Sequence, residues 1–190
     1  MLLSPWVQDV PLEKLRHDTK PIHLAEGFGG QPIEFFPPYR FFRLYQEQRY
    51  EEARDQFRAW YREQFRKYSS IGKNVGGMRK GSLYRLVAAE HSRHGLTVSN
   101  GAQFKEQLVE NAIAMRVEQR LELLAAISKS GYDPKRADTV VGLARSGGAI
   151  YLTGGHHRAA ALKAIGEKVL PGVIVLSPRM RYVLKRIRLI

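Results

Sequence analysis

The chain of 190 residues contains no cysteine. This absence excludes a disulfide framework and any thiolate metal site, and it suits a reducing compartment. Long apolar runs are also missing, since no stretch approaches the roughly 20 residues that a membrane-spanning helix requires. The amino terminus has neither the basic region nor the apolar core of a signal peptide. We therefore expect a cytoplasmic protein without a transmembrane segment.

Acidic residues are scarce as well. The sequence has 18 Asp and Glu against 31 Lys and Arg, which gives a formal net charge of +13. Such a charge favours an anionic partner: a nucleotide, a nucleic acid, a phosphorylated glycan or an anionic lipid surface. The alternative is a basic surface that serves only solubility. Any binding to nucleic acid is expected to be weak, blind to sequence and lost near physiological salt.

The amino-terminal half divides into an irregular segment and a series of helices. Residues 1–38 are interrupted by prolines, and their scattered apolar side chains indicate a segment packed over a folded body. From Phe41 onward, apolar residues recur at steps of three and four, as along one face of an amphipathic helix. A further helix is predicted at 83–91, and a long one is expected to stop at Gly131. The predicted apolar positions are Phe41, Leu44, Tyr45, Ala53, Phe57, Trp60, Tyr61 and Phe65, then Val109, Ile113, Val117, Leu121 and Leu124.

The last third of the chain contains shorter runs rich in β-favouring residues. Residues 139–144 and 149–153 flank a glycine-containing turn, which is typical of a hairpin. Residues 169–176 predict another strand, although Pro171 interrupts it early. The sequence therefore predicts an α+β protein. A mainly helical amino-terminal region at residues 1–105 is expected to precede a small mixed α/β domain at residues 106–190.

The most informative stretch joins a predicted strand to a predicted helix. It reads Thr153-Gly-Gly-His-His-Arg-Ala-Ala-Ala-Leu-Lys-Ala-Ile-Gly166. Helix formers follow the paired glycines, and Gly166 is placed to end the helix. Glycine lets a ligand approach the backbone closely, and the first turn of a helix offers amide N–H groups to an anion. Arg158 can bind a phosphate or carboxylate through two N–H groups.

The stretch therefore predicts a phosphate-binding site. The residues expected to bind the ligand are Gly154, Gly155, His156, His157 and Arg158. The two histidines are also the catalytic candidates, because an imidazole can donate a hydrogen bond to a phosphate oxygen. No metal site is predicted, since no carboxylate is spaced to complete a ligand set with the histidines.

At these residues the chain resembles the ParB/sulfiredoxin superfamily. Gly155-His-His-Arg-Ala-Ala-Ala-Leu162, closing at Gly166, is similar to the Asp-Gly-His-His-Arg motif of that superfamily, and the resemblance covers residues 112–177. Gly131-Tyr-Asp-Pro134 and the strand-like residues 139–141 and 173–175 match the usual frame of the motif. Members bind nucleotides: ParB hydrolyses CTP, sulfiredoxin uses ATP and a free-serine kinase uses ADP. The resemblance thus implies a cofactor that is ATP, ADP or CTP, with Mg²⁺.

The chain departs from the motif at one position. Gly154 stands where the motif has its aspartate, so that the sequence is closer to the Gly-Gly-Cys-His-Arg of sulfiredoxin, with His156 at the position of the catalytic cysteine. Without a cysteine, sulfiredoxin chemistry is excluded. The missing aspartate also removes a group that could bind a metal or activate a nucleophile.

Three functions follow from the resemblance. The preferred one is a nucleotide-dependent phosphotransferase that acts on a small or glycan hydroxyl acceptor. The alternatives are a ParB-like DNA-binding or partition protein, for whose helix-turn-helix module the chain leaves little room, and a non-catalytic nucleotide sensor. Two basic stretches stay open to interpretation. Residues 68–82 could form a phosphate nest or a linker, and residues 179–190 could pack on the protein or bind a polyanion.

Overall fold

A computed structural model describes residues 7–18, 27–71, 82–96, 105–134 and 140–177. Within these ranges the chain forms five α-helices and five β-strands, which confirms the α+β class. The helices are α1 (Pro37–Gln46), α2 (Tyr50–Ile71), α3 (Ser82–Arg93), α4 (Glu106–Ser130) and α5 (His156–Ala164). The strands are β1 (Val7–Pro11), β2 (Leu15–His17), β3 (Val140–Ala144), β4 (Ile150–Leu152) and β5 (Val169–Leu176).

The chain forms two compact units. The first, here called the sheet unit, combines Met1–Glu47 with Leu123–Ile190, and the second, the helical unit, is Gln48–Glu122. This division differs from the predicted one, whose boundary at residues 105 and 106 falls inside the helical unit. The physical reason is that strands from the amino-terminal segment pair with strands from the carboxyl-terminal part.

The sheet unit is built on a single mixed sheet in the order β1-β5-β3-β4-β2. β3 pairs with β5 in parallel and with β4 in antiparallel orientation, and β1 and β2 form the two edges. The prediction that residues 1–38 are irregular is wrong for β1 and β2. These strands are only five and three residues long, and their pairing partners lie in the last third of the chain, so that no local pattern marks them.

The register places the ends of two parallel strands side by side. β2 pairs with β4 so that Leu15 lies opposite Ile150 and His17 opposite Leu152. The predicted hairpin between β3 and β4 is confirmed, with the Arg145 amide donating to the Ala149 carbonyl at 2.9 Å. Gly147 and Gly148 turn the chain there with φ of 79° and 75°, a region that glycine adopts without strain.

Helices α1 and α5 pack against each other within the sheet unit. Small residues occupy the buried sides of α5, since Ala159, Ala160, Ala161 and Ala164 are all buried. Small side chains let two helix backbones approach closely. The predicted stop at Gly166 is confirmed: Glu167 N–H donates to Leu162 O and Gly166 N–H to Lys163 O, which is the Schellman arrangement. Gly131 ends α4 in the same conformation, with φ of 72°.

The helical unit has a core of apolar side chains from α2, α3 and α4. Most of the predicted apolar positions are buried, among them Ala53, Phe57, Tyr61, Ile113, Val117 and Leu121. The apolar positions predicted from Phe41 onward are nevertheless divided between two helices. Helix α1 ends before Gln48, whose φ is 62°, and α2 begins after it. None of the described helices has the length and apolarity needed to cross a membrane. Residues 72–81 of the glycine-rich stretch and the basic segment at 179–190 lie outside the described residues.

Candidate phosphate-binding site

The predicted site begins where β4 ends. Thr153 continues the pairing of β4 with β3, since its amide and its hydroxyl both donate to the Val141 carbonyl, at 2.9 and 3.0 Å. Gly154 and Gly155 follow, and α5 begins at His156. The strand, the glycine turn and the helix therefore follow one another in the predicted order. The two hydrogen bonds of Thr153 hold the start of the turn on the sheet.

The two glycines of the turn have different roles in the fold. Gly155 has φ of 77°, and a Cβ atom placed there would lie 2.7 Å from Val140 Cγ2. Both the backbone conformation and the close contact require glycine at this position. Gly154 has no positive φ, and a Cβ atom there would meet no heavy atom of the described residues within 4 Å. The fold itself thus requires glycine at 155 but not at 154.

The amino terminus of α5 is electropositive in character. Gly155 is its N-cap residue and contributes no side-chain hydrogen bond to the first turn. The amide N–H groups in the first turn of an α-helix point away from the helix body, where they attract anions together with the helix dipole. His156, His157 and Arg158 occupy this turn, and each is partly exposed.

Beneath the turn, the imidazole of His156 belongs to a cluster of rings. It stacks on His17 with 4.7 Å between ring centroids and 3° between ring planes. The ring centroid of Phe36 lies 4.6 Å from that of His17 and 5.0 Å from that of His157. The contact with His157 is edge-on, with 77° between the ring planes. Phe28 completes the cluster, with its centroid 5.0 Å from that of His17. Both histidines of the predicted site thus have a packing role.

Local structure explains why His17 lies there. It is the last residue of β2 and pairs with Leu152, which directly precedes the turn. Its amide donates to the Gln31 carbonyl and its carbonyl accepts from the Gly30 amide, each at 3.0 Å. These bonds fold residues 27–31 back on the strand and bring Phe28 over the His17 ring. Phe36 is the N-cap residue of α1, and its ring contacts those of both His17 and Phe28.

The two histidines differ in how accessible their rings are to a ligand at the turn. The Nε2 atom of His156 is covered by protein, so a ligand outside the turn cannot reach it unless the side chain moves. The ring of His157, one position further along the helix, points about 100° away from that of His156. A ligand at the turn therefore meets the backbone, His157 and Arg158 more directly than the Nε2 atom of His156.

An ion pair connects α5 to the segment that carries Phe36. Lys163 Nζ contacts Glu34 Oε1, and Glu34 lies in the short 3₁₀ helix Ile33–Phe35. Burial acts to raise the pKa of Glu34, but the hydrogen bond and charge of Lys163 outweigh it, so that the pKa is lowered. The ionised pair holds α5 against the chain that supplies the ring cluster.

A metal site is not evident near the turn. No group of three or more His, Asp or Glu side chains suited to a metal ion occurs within the described residues. The acidic residue that follows His17 is Asp18, which is only 4% exposed. Residues 153–158 contain no carboxylate, so the turn itself offers an anion no repulsion from an acidic side chain.

Sequence reasoning identified the turn but missed the residues beneath it. His17, Phe28 and Phe36 come from a part of the chain predicted to be irregular. The only local signal is the alternation of buried Leu15 and His17 around the partly exposed Arg16, and three residues are too few for a strand prediction. No family model, curated protein or solved structure matches the chain in comparisons with known proteins.

Proposed function

We propose that the turn at residues 153–158 binds the phosphate groups of a nucleotide. The observation that carries this proposal is the contrast between its two glycines. The fold needs glycine at 155, whereas the position of a Cβ atom on Gly154 is open. A glycine that the fold does not need costs conformational entropy, and close approach of a ligand to the backbone is a reason to keep it.

Charge supports the same assignment. The first turn of α5 offers amide N–H groups and the positive end of the helix dipole to an anion. Arg158 adds a guanidinium that can hold phosphate oxygens through two hydrogen bonds. The net charge of +13 raises the local concentration of anionic ligands around the protein.

A nucleotide of the kind implied by the ParB/sulfiredoxin resemblance brings Mg²⁺ with it. Mg²⁺ prefers oxygen ligands and keeps several of its waters, so phosphates and water can supply most of its shell. The described residues hold no preformed group for it. We therefore assign to the protein the binding of the phosphates through Gly154, the first turn of α5 and Arg158. Transfer of a phosphoryl group to a hydroxyl acceptor, the finer form of the proposal, needs an acceptor and a base that residues 153–158 do not identify.

The test is a titration of the full chain with ATP, ADP, CTP and GTP, with and without Mg²⁺, by calorimetry and thermal shift. A ligand at 100 times its dissociation constant should add about 2.7 kcal/mol to the free energy of unfolding. Arg158→Ala is expected to weaken nucleotide binding by about 1.5–3 kcal/mol, the contribution of a charge-assisted hydrogen bond. Gly154→Ala should lower affinity while leaving the melting temperature of the free protein nearly unchanged.

Arg43→Ala is the matched control. Arg43 lies on α1 in the same unit, is half exposed and pairs with Glu47 just after that helix, so its removal changes the charge equally without touching the turn. The proposal fails if the parent binds none of the four nucleotides, or if Arg158→Ala and Arg43→Ala bind with the affinity of the parent. Nucleotide turnover by the parent then separates a phosphotransferase from a sensor that only binds.

A further inference from the structure

Most of the arginines that the structure describes in the helical unit have a carboxylate close by. Arg54 Nε lies 3.0 Å from Glu118 Oε1, and Arg62 reaches both oxygens of Glu110 at 2.6 and 2.7 Å. Arg58 lies 3.6 Å from Asp55, one helical turn away. The scarce acidic residues of the chain are thus distributed so that these arginines are compensated.

Arg116 and Arg120 on α4 are exceptions. Among the described residues, neither has a carboxylate oxygen within 4 Å of its guanidinium. Their polar contacts are neutral: Arg116 Nη1 donates to Gln119 Oε1 at 3.0 Å, and Arg120 Nε donates to the Tyr61 hydroxyl at 3.3 Å. The Nε atom of Arg116 is covered and has no hydrogen-bond acceptor within the described part of the chain.

The cluster holds like charges that are partly removed from water. Burial lowers the pKa of Arg116, and the neighbouring charges of Arg120 and Arg85 lower it further. Burial also raises the pKa of Tyr61, which keeps its hydroxyl neutral at physiological pH. An arginine stays charged under these conditions, so the cluster carries an uncompensated positive charge. An anion between the guanidinium groups would supply the missing compensation.

We propose that Arg116 and Arg120 bind a phosphate-type oxyanion in the helical unit. The two residues are four positions apart on α4, so their side chains leave the same face about 5–6 Å apart at Cβ. Arg116 Nε is covered, Arg116 Nη1 donates to Gln119, and Arg120 Nε donates to Tyr61. The donors for the anion are therefore Nη2 of Arg116 and the two Nη atoms of Arg120. Tetrahedral oxyanions suit such paired guanidinium groups. The anion is free phosphate or the phosphoryl group of a small metabolite.

The site is independent of the nucleotide proposal, and the experiment keeps the two apart. Equilibrium dialysis with labelled inorganic phosphate, at constant ionic strength in sodium chloride, is carried out on the full chain carrying Arg158→Ala. One saturable phosphate per chain is expected to remain. Adding Arg116→Met should weaken it about tenfold or more, which corresponds to one charge-assisted hydrogen bond. Adding Arg58→Met instead, which removes an arginine that has its own carboxylate, should leave it unchanged.

A second measurement addresses the cost of the cluster. In chloride buffer without phosphate, Arg116→Met should not lower the urea midpoint of the chain, because it removes a like-charge repulsion. If the midpoint falls instead, Arg116 is a structural residue and the proposal is wrong. Equal phosphate binding by the Arg116→Met and Arg58→Met chains overturns it as well.

Competition identifies the source of the anion. Displacement of labelled phosphate by glycerol phosphate at similar concentrations supports a phosphorylated metabolite, and resistance to it supports free phosphate. A DNA duplex that binds with the same dependence on Arg116, while phosphate does not bind, overturns the small-anion site in favour of a nucleic-acid surface. Gly154→Ala replaces Arg158→Ala as the background if circular dichroism shows that the latter does not fold.

Discussion

The imidazole rings of His17 and His156 lie parallel, with 4.7 Å between their centroids. His17 is the last residue of the edge strand β2, and His156 is the first residue of α5, the helix that follows the glycine turn. The stack therefore connects the amino-terminal strand to the candidate phosphate site within the sheet unit. Phe36 contacts both histidines of the motif, at 6.0 Å from His156 and 5.0 Å from His157, and so fixes the direction of the first turn of α5.

Truncation of this ring cluster is expected to destabilise the protein strongly. Phe36 is 4% exposed, so Phe36→Ala should cost about 3–5 kcal/mol of the free energy of unfolding, and the fully buried His17→Ala about 2 kcal/mol or more. Phe35→Ala is the control, because its side chain is 63% exposed, and it should change stability by less than about 0.5 kcal/mol. Urea unfolding followed by circular dichroism measures the three values. Equal losses for Phe35→Ala and Phe36→Ala would contradict the packing described.

The glycine turn gives a prediction with an internal control. Gly155→Ala should destabilise the fold by about 1–2 kcal/mol for the left-handed conformation, with a further loss from the contact with Val140. Val140→Ala, made alone and combined with Gly155→Ala, separates the two parts: in the Val140→Ala background, Gly155→Ala should cost only the conformational part. Gly154→Ala should be nearly neutral, because the space around it is open. Thermal unfolding of the four variants checks this order, and a loss at 154 as large as that at 155 would show that both glycines are structural.

His91 connects two helices of the helical unit. Its Nε2 accepts the Lys105 amide at 3.0 Å, just before α4, which leaves Nδ1–H to donate to the Val87 carbonyl at 2.9 Å on α3. His91→Ala removes a buried side chain and leaves the Lys105 amide without its acceptor, so we expect a loss of about 1–3 kcal/mol in stability. His94→Ala, three residues further and exposed, should cost less than about 0.5 kcal/mol. Equal effects in chemical denaturation would remove the bridging role.

The Arg62–Glu110 pair predicts a pH dependence. The hydrogen bonds from Arg62 hold the pKa of Glu110 below its ordinary value, although burial opposes them. A carboxyl whose pKa is lowered by folding stabilises the protein above its unfolded pKa of about 4.3, and this contribution is lost as the pH falls through the lowered value. Arg62→Gln should therefore reduce stability at pH 7, by less than about 1 kcal/mol because the pair faces solvent.

The effect of the same substitution should be smaller near pH 2 than at pH 7, because protonation of Glu110 removes the charge that Arg62 pairs with. The quantity to compare is the difference in unfolding free energy between variant and parent at the two pH values. Arg66→Gln, which breaks an exposed pair within α2, serves as the control and should be close to neutral at both. A loss for Arg62→Gln that persists undiminished at low pH would mean that packing of the arginine, and not its charge, stabilises the unit.

Local sequence signals predicted the elements that depend on local physics. Gly155 and Gly166 mark the two ends of α5, each with a positive φ. The apolar residues Ile113, Val117 and Leu121 of α4 are buried, as their spacing predicts. These features follow from three to eight neighbouring residues. The glycine turn between β4 and α5 could be predicted for the same reason, since its glycines, histidines and arginine are consecutive.

The two edge strands and the ring cluster could not be predicted, because they depend on pairing between residues far apart in the sequence. β1 and β2 are short, and β1 contains Asp9 and ends at Pro11, residues that are rare in strands. They become strands because β5 and β4 offer them free edges. The ring cluster under the turn was missed with them, since His17 has no distinguishing feature until Leu152 is placed beside it.

The strand order of the sheet has a consequence for folding during synthesis. Its two edge strands are synthesised first, but Leu15 pairs with Ile150 and Val10 with Leu170. A ribosome needs on the order of ten seconds to add the intervening residues, during which the local helices can already form. A nascent chain that has not yet reached β4 and β5 therefore exposes Val10, Leu12 and Leu15, which the finished protein buries. Aggregation of the nascent chain is most probable in that interval, and early binding by a chaperone would protect these strands.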